Sequence, residues 1–320
     1  MKILVQIARI IVGALFIFSG LVKLVDPIGS KYKFEEYFSE GVLNLEFLIP
    51  YALPFAIFLI IGEIVLGVAL LVGWKSKFTI KSLLIMILLF LFLTWYSAYY
   101  NKVTDCGCFG DAIKLTPWES FYKDVILTVL ILFLSFKVRF ITPITRTSLP
   151  FKIVVFSLLV SAGVTYYVLA HLPIIDFRAY SIGKNIADGM EYKDDGEMPP
   201  IHDFVLEDSQ NDLAPEILKM DKVMLVIAYS VDKSDLEGFT EIKKVSDKAI
   251  EKGYKVYGVS ASFTDEIELT KSKYQLPFEF LFCDETTLKT MIRSNPGVII
   301  LNKGTVVEKK SWGDADEIKL

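Results

Sequence analysis

Two cysteines separated by one glycine, in Asp105-Cys106-Gly107-Cys108-Phe109-Gly110, are the densest concentration of chemistry in a chain of 320 residues that holds only three cysteines. Thiols this close can close a small strained ring, and strain makes a disulfide easier to reduce. The intervening glycine relieves backbone strain that any other residue would add. Read instead as metal ligands, two sulfurs need further donors. The histidines are only His171 and His202, so a closed site would have to draw on Asp or Glu. A third reading makes the pair two inert interfacial thiols. Asp105 would raise the pKa of a neighbouring thiol, whereas a helix starting near residues 118–123 would lower it. No metal site is expected.

Two other residues carry candidate chemistry. Glu63, in IIGEIVLG, sits near the middle of an apolar run; an ionisable side chain at such depth is costly, and it serves either a proton path or a buried polar contact between helices. Cys283 ends a short apolar segment. It reads as a small buried filler or as a resolving partner for the Cys106/Cys108 pair.

The elements that must position these residues emerge from composition. With 53% hydrophobic residues and a mean hydropathy of +0.46, the chain is too apolar for an ordinary soluble domain. The excess lies before Pro173, and the remainder of the chain has the mixed charge of a soluble fold. The net charge of -4 leaves no nucleic-acid footprint. Apolar runs at 5–25, 51–72, 80–99, 124–140 and 151–172 are each expected to cross the hydrocarbon core. The first is too long for a signal-peptide core, and no small-residue cleavage site comes after it. Aromatics at Tyr32, Phe34, Tyr37 and Phe38, and again at Trp95, Tyr96, Tyr99 and Tyr100, suit the membrane interface. Arg9 and Lys23 are expected to anchor the ends of the first helix by reaching toward water. Gly13, Gly20, Gly62, Gly67 and Gly73 are expected to permit close helix contact.

Lys2, Arg9, Lys75, Lys77, Lys81, Lys137, Arg139, Arg146 and Lys152 all fall on one side of such a bundle, which the positive-inside bias makes cytoplasmic. The N-terminus is then cytoplasmic. The cysteine pair and everything after Pro173 lie outside, which in a bacterium is the periplasm, where thiols can be oxidised.

CGCFG with the Leu-Thr-Pro-Trp that opens the next helix, behind SGLVKLVDP and GEIVLGVALLVG, resembles the DoxX/MauE-like family of bacterial membrane proteins over residues 1–141. The resemblance implies a four-helix bundle of the type shared with vitamin K epoxide reductase. It also implies a part in periplasmic disulfide chemistry linked to quinone, with Cys106 and Cys108 as the redox pair. The chain departs from the epoxide reductase pattern in having CxC for CxxC and no second pair in the membrane half. Residues 142–173 are expected to add a fifth transmembrane helix and 174–198 to form a linker.

Over 199–320 strands alternate with helices and end in a hairpin turned at Asn302-Lys303-Gly304. That order, with Pro296 opening the penultimate strand, resembles the thioredoxin fold, and the resemblance makes Pro296 its cis-proline. Where that family places its CxxC, this chain has Tyr229-Ser230-Val231-Asp232-Lys233-Ser234. Without a thiol, dithiol exchange in this domain is excluded. The cleft beside Ser230 and Pro296 is expected to bind a partner. The segment 314–320 is shorter than the helix that usually closes such a fold, so a truncated terminus is expected.

The expected protein is thus an inner-membrane one, a candidate thiol-disulfide oxidoreductase with a membrane or periplasmic protein partner. The alternative is a non-enzymatic anchor of an envelope complex.

Overall fold

Apolar runs of about 20 residues satisfy their backbone groups in lipid only by forming helices, and the first half of the chain does this throughout. The computed structural model describes all residues except 104–108, 114, 146, 193–197 and 203. Cys106 and Cys108 therefore lie outside the described residues. The chain divides into two units, Met1–Leu169 and Ala170–Leu320.

The first unit contains α1 (Lys2–Leu24), α2 (Pro27–Phe38), α3 (Ala52–Val72, led in by a 3-10 turn), α4 (Ser76–Tyr100), α5 (Pro117–Phe136) and most of α6 (Leu149–Ala170). Four segments are long and apolar enough to cross a membrane: Lys2–Leu24, Glu46–Val72, Ser76–Tyr100 and Leu149–Ala170. The span expected at 124–140 is α5, which begins seven residues earlier. Thr116 caps it and exchanges hydrogen bonds with Glu119, while Pro117 supplies the first helical residue. That start brings Glu119, Lys123 and Asp124 into its first two turns.

Glycines bring α1 against α3. A Cβ on Gly67 would lie 2.9 Å from the Gly13 carbonyl oxygen, and one on Gly20 would lie 3.1 Å from that of Ile60. Dispersion over such close backbones holds helices together where lipid offers no hydrophobic drive. Arg9 and Lys23 do not reach for water as expected. Arg9 is 5% exposed, and its guanidinium donates to the carbonyls of Leu70, Leu71 and Thr142 at 2.8, 2.8 and 3.2 Å. It therefore adds donors to the last turn of α3, where the Gly73 amide also reaches Leu70 and the Ile144 amide reaches Val72. Lys23 turns inward to Glu63.

The second unit is a five-stranded sheet in the order β3-β2-β1-β4-β5: β1 (Val223–Ile227), β2 (Lys255–Ser260), β3 (Phe280–Phe282), β4 (Gly297–Asn302) and β5 (Thr305–Ser311). β1 runs parallel to β2 and antiparallel to β4. All five of its residues are buried, as expected of the unbroken VMLVI between two covered faces. Phe239, Ile242, Val245 and Ala249 of α9 (Leu236–Glu251) cover the face with Met224, Val226, Val298 and Ile300. The other face packs on Ile186, Phe204, Leu206, Leu288 and Met291, from α7 (Ile186–Met190), the loop before α8 (Ala214–Ile217), and α11 (Glu285–Met291). α10 (Thr264–Tyr274) joins β2 to β3. The β4–β5 turn places Lys303 and Gly304 at φ 47° and 74°, the left-handed pair that a two-residue hairpin loop needs. This mixed order, with the Asn295–Pro296 peptide cis at the start of β4, is the thioredoxin-like arrangement expected from the strand pattern.

The expected linker differs from what is found. Tyr180 and Ile186 are buried in the sheet core, Asn185 bridges Thr305, and Asp176 takes ion pairs from Arg178 (2.7 Å) and Lys309 (2.8 Å). Its polar residues looked like solvated loop in sequence because their partners lie over a hundred residues away.

The packing of each unit can be tested separately. Gly67→Val sets a methyl-bearing side chain against backbone that cannot yield, costing about 1–3 kcal/mol; a lower Tm in detergent is expected, and an unchanged one contradicts the packing. In the soluble unit, burial drives the Lys309 ammonium down to about 8, with Arg178 adding repulsion against the pull of Asp176. Between there and the ordinary 10.5 the unfolded chain carries a proton that the folded one has released, so this group adds stability as pH rises through that window. Lys309→Met should flatten that rise in the hydrogen-exchange protection of β4, and an identical slope would contradict it.

Candidate functional site

The close α1–α3 contact has a chemical result. α1 carries Lys23 one turn past Gly20, and α3 carries Glu63 one turn before Gly67, so the two charges meet inside the bundle. Lys23 donates to Glu63 Oε1 and also lies 5.0 Å from the centre of the Phe90 ring. Glu63 is 1% exposed, and its second oxygen, Oε2, has no hydrogen-bond partner among the described residues.

A second pair sits beside the first. The early start of α5 brings Lys123 and Asp124 inward, with Lys123 Nζ 3.1 Å from Asp124 Oδ1. Thr94 of α4 donates to Asp124 Oδ2 at 3.1 Å. Two cavities join these groups. One, of about 60 Å³, is lined by Glu63, Lys23, Lys33, Lys123, Thr94 and Tyr37 among others. The other, of about 20 Å³, is lined by Glu63, Ser19, Lys123, Asp124 and Phe109. Phe109, the residue after Cys108, is buried, with its ring 5.5 Å from that of Phe18 and 4.8 Å from Lys123 Nζ. The chain leaving the cysteine pair is therefore pinned over the polar cluster. Sequence reading marked Glu63 and missed its partners. The signal for Lys23 was its place as the one charge in the last turn of α1, and for Asp124 its place at the head of an apolar run.

The soluble unit holds the other candidate residues. Ser230 and Pro296 are brought together, both buried. Asn295 Nδ2 and Ser234 Oγ both donate to the Ser230 carbonyl, at 2.8 and 2.9 Å, and the Asp235 amide donates to the Asn295 carbonyl at 2.9 Å. Pro296 packs where a side chain on Gly238 would stand, against Trp312. The hydroxyl of Ser230 bonds Asp232 and holds that carboxyl below its usual range. What this cleft turns outward is its rim, Leu236 and the 80% exposed Phe263. Cys283 is fully buried, and burial pushes its thiol up to about 12, with the Asp284 charge adding to the rise. A thiol so shielded and protonated does not suit a resolving partner, and it serves as core filler. The described residues hold no group of three or more His, Cys, Asp or Glu that could bind a metal.

Comparison with known proteins places these halves. The family model for methylamine utilisation protein MauE matches residues 1–137. Protein TlpB of Flavobacterium psychrophilum is 24% identical over 235 residues, 71% of this chain. The chain spans 56% of that relative's length. A solution structure of a thiol:disulfide interchange protein from Bacteroides sp. aligns at a TM-score of 0.29 and 14% identity, over 36% of this chain and 82% of that one. The first 137 residues thus carry the MauE pattern, continued in the same chain by a mixed α/β domain of thioredoxin-like strand order.

Proposed function

We propose that this protein is a bacterial inner-membrane thiol/disulfide redox protein. The Cys106/Cys108 pair exchanges a disulfide with a protein dithiol on the periplasmic side, and the thioredoxin-like domain, which lacks a CxxC, recruits that partner. The observation that carries the reading is the seating of Phe109, which fixes the chain directly after the pair over a buried cluster of two acids and two lysines. The joining of a MauE-type membrane segment to a thioredoxin-like domain supports it as well. The side is argued from charge: between Glu63 and Asp105 and between Asp124 and Asp176 the chain has no acid, and its lysines and arginines gather at the opposite end of the bundle from the cysteine loop. For re-oxidation of the pair the acceptor in this reading is a quinone dissolved in the bilayer.

A second reading, a non-catalytic anchor of an envelope complex, is favoured by the loop 228–235, whose polar groups satisfy one another.

Trapping thiols in intact cells separates the two. On the redox reading the pair is a mixture of bonded and free forms that moves toward the free form when quinone is depleted, and Cys108→Ser accumulates a mixed disulfide with a protein partner. A pair fixed in one form under both conditions, together with full function of the Cys106→Ser, Cys108→Ser double variant, would establish the anchor. Cys283 should stay outside this exchange: in the folded protein it should alkylate at least a hundredfold more slowly than Cys106 and Cys108 do in their free form, and at the free-thiol rate once unfolded. Equal rates in the native state would show that it is reachable.

A further inference from the structure

We propose that the polar cavity inside the helical bundle is a hydrated proton-exchange site, in which Glu63 takes up and returns the proton and Lys123 passes it toward the cysteine loop. The proposal rests on the thiol redox reading given above and adds to it the route of the protons.

The argument begins with an unmet requirement. A carboxylate buried to 1% exposure has one oxygen on Lys23 and the other without a hydrogen-bond partner among the described residues. Leaving a buried acceptor unsatisfied is unfavourable, and more so for a charged one. Glu63 also lines both cavities. A buried water needs on the order of 10–15 Å³ of such space and two or more polar partners, whereas a cavity that takes a benzene ring is about 150 Å³. At about 60 Å³ the larger cavity is polar enough and large enough for a few waters, and too small for a six-membered ring.

The charges around Glu63 give the waters a direction. α1 presents Lys23, α2 presents Lys33 and Tyr37, α5 presents Lys123 and Asp124, and α4 presents only the neutral Thr94. On one side the lining runs out to Lys33, whose side chain is 32% exposed. On the other, Lys123 lines both cavities and holds its ammonium over Phe109, one residue from Cys108. The site thus has an outlet on one side and ends on the other at Phe109, the residue after Cys108 in sequence.

The chemistry there balances without a further reagent. A partner thiol gives up its proton and its sulfur attacks one sulfur of the Cys106–Cys108 disulfide, forming a mixed disulfide and breaking the original bond. The displaced thiolate takes a proton. The partner's second thiol then loses its proton, attacks its own sulfur, and releases the other cysteine as a thiolate, which is protonated in turn. Two protons and two electrons pass from the partner dithiol to the pair, and the cluster holds each proton between its release and its delivery.

The test uses full-length protein in nanodiscs. In the infrared spectrum, the carboxyl signal of Glu63, identified by its loss in Glu63→Gln, should follow bulk pH reversibly and shift in heavy water. A signal that ignores both overturns the proposal. In stopped-flow reduction of the oxidised pair by dithiothreitol, Glu63→Gln and Lys123→Met should each slow the reaction at least fivefold and remove one step from its pH profile, with Glu63→Asp restoring part of the rate. Wild-type rates and profile in Glu63→Gln overturn it equally. Because Glu63→Gln strands Lys23, the double variant Lys23→Met, Glu63→Gln is measured alongside and should show the same slowing. A wild-type pair that no dithiol reduces brings down the redox reading itself, and the infrared response then still decides the proton site.

Discussion

The ion pair between Lys23 and Glu63 sets the terms for the membrane half. A charge in the apolar bundle is tolerated only beside its partner, and removing one partner of such a buried pair costs about 3–5 kcal/mol. The pair can form only because Gly13, Gly20 and Gly67 let α1 and α3 approach to backbone contact. Small residues thus fix the distance and the charges fix the rotation. Arg9 performs a related task at the other end of α1, where it donates to the Leu70 and Leu71 carbonyls in the last turn of α3. With both ends of α1 tied to α3, α5 is left to present Lys123 and Asp124 to the same interior.

The soluble unit shows what a purely structural charge cluster looks like. Asp176 accepts from Arg178 and Lys309, and Lys309 also donates to the Tyr180 carbonyl at 3.1 Å. Burial alone would raise the Asp176 carboxyl; Lys309 and Arg178 outweigh it and hold it below its usual range. Each group has its partner, and the result is to fasten residues 176–180 to β5. In the bundle the acids are more deeply buried, yet Glu63 Oε2 has no hydrogen-bond or ion-pair partner among the described residues and faces water-sized space. This contrast in partnering is what the proposed proton-exchange site rests on.

Much of this was legible in the sequence. Four apolar segments, the strand order, the hairpin at Lys303-Gly304 and the depth of Glu63 are all set by local pattern. What was not legible is what depends on distant pairing. Lys23 looked like a residue reaching for the interface, because nothing in its neighbourhood announced a carboxylate forty residues on. Arg9 misled for the same reason, since its acceptors are backbone carbonyls, which have no sequence signature. The apolar span was set from 124 because hydropathy rises only there, whereas the helix begins at the Leu-Thr-Pro-Trp entry that the sequence showed, nucleated by Thr116, Pro117 and Glu119. Residues 174–198 read as linker from their polarity, although Tyr180 and Ile186 were available as core residues. The candidate site was half visible: its acid could be named, and its lysines could not.

The thioredoxin-like unit narrows where chemistry in this chain can occur. After β1, the position at which that fold places reactive sulfur holds Ser230 and Ser234, and both are spent on the loop itself: Ser234 bonds the Ser230 carbonyl and lies 3.1 Å from Asn295 Oδ1, while Ser230 bonds Asp232. Asn295 ties the same loop to the strand behind it. A loop locked in this way cannot open to deliver a nucleophile, and the unit's one thiol, Cys283, is sealed in the core. In the proposed exchange the thiols are Cys106 and Cys108, and the membrane segment that precedes and follows them holds Glu63, Lys23, Lys123 and Asp124 in its interior. Under that division the soluble unit contributes shape and an exposed rim at Leu236 and Phe263. On the proposed reading the bundle supplies the reactive sulfur, the reverse of the usual placement in proteins that carry a thioredoxin-like domain.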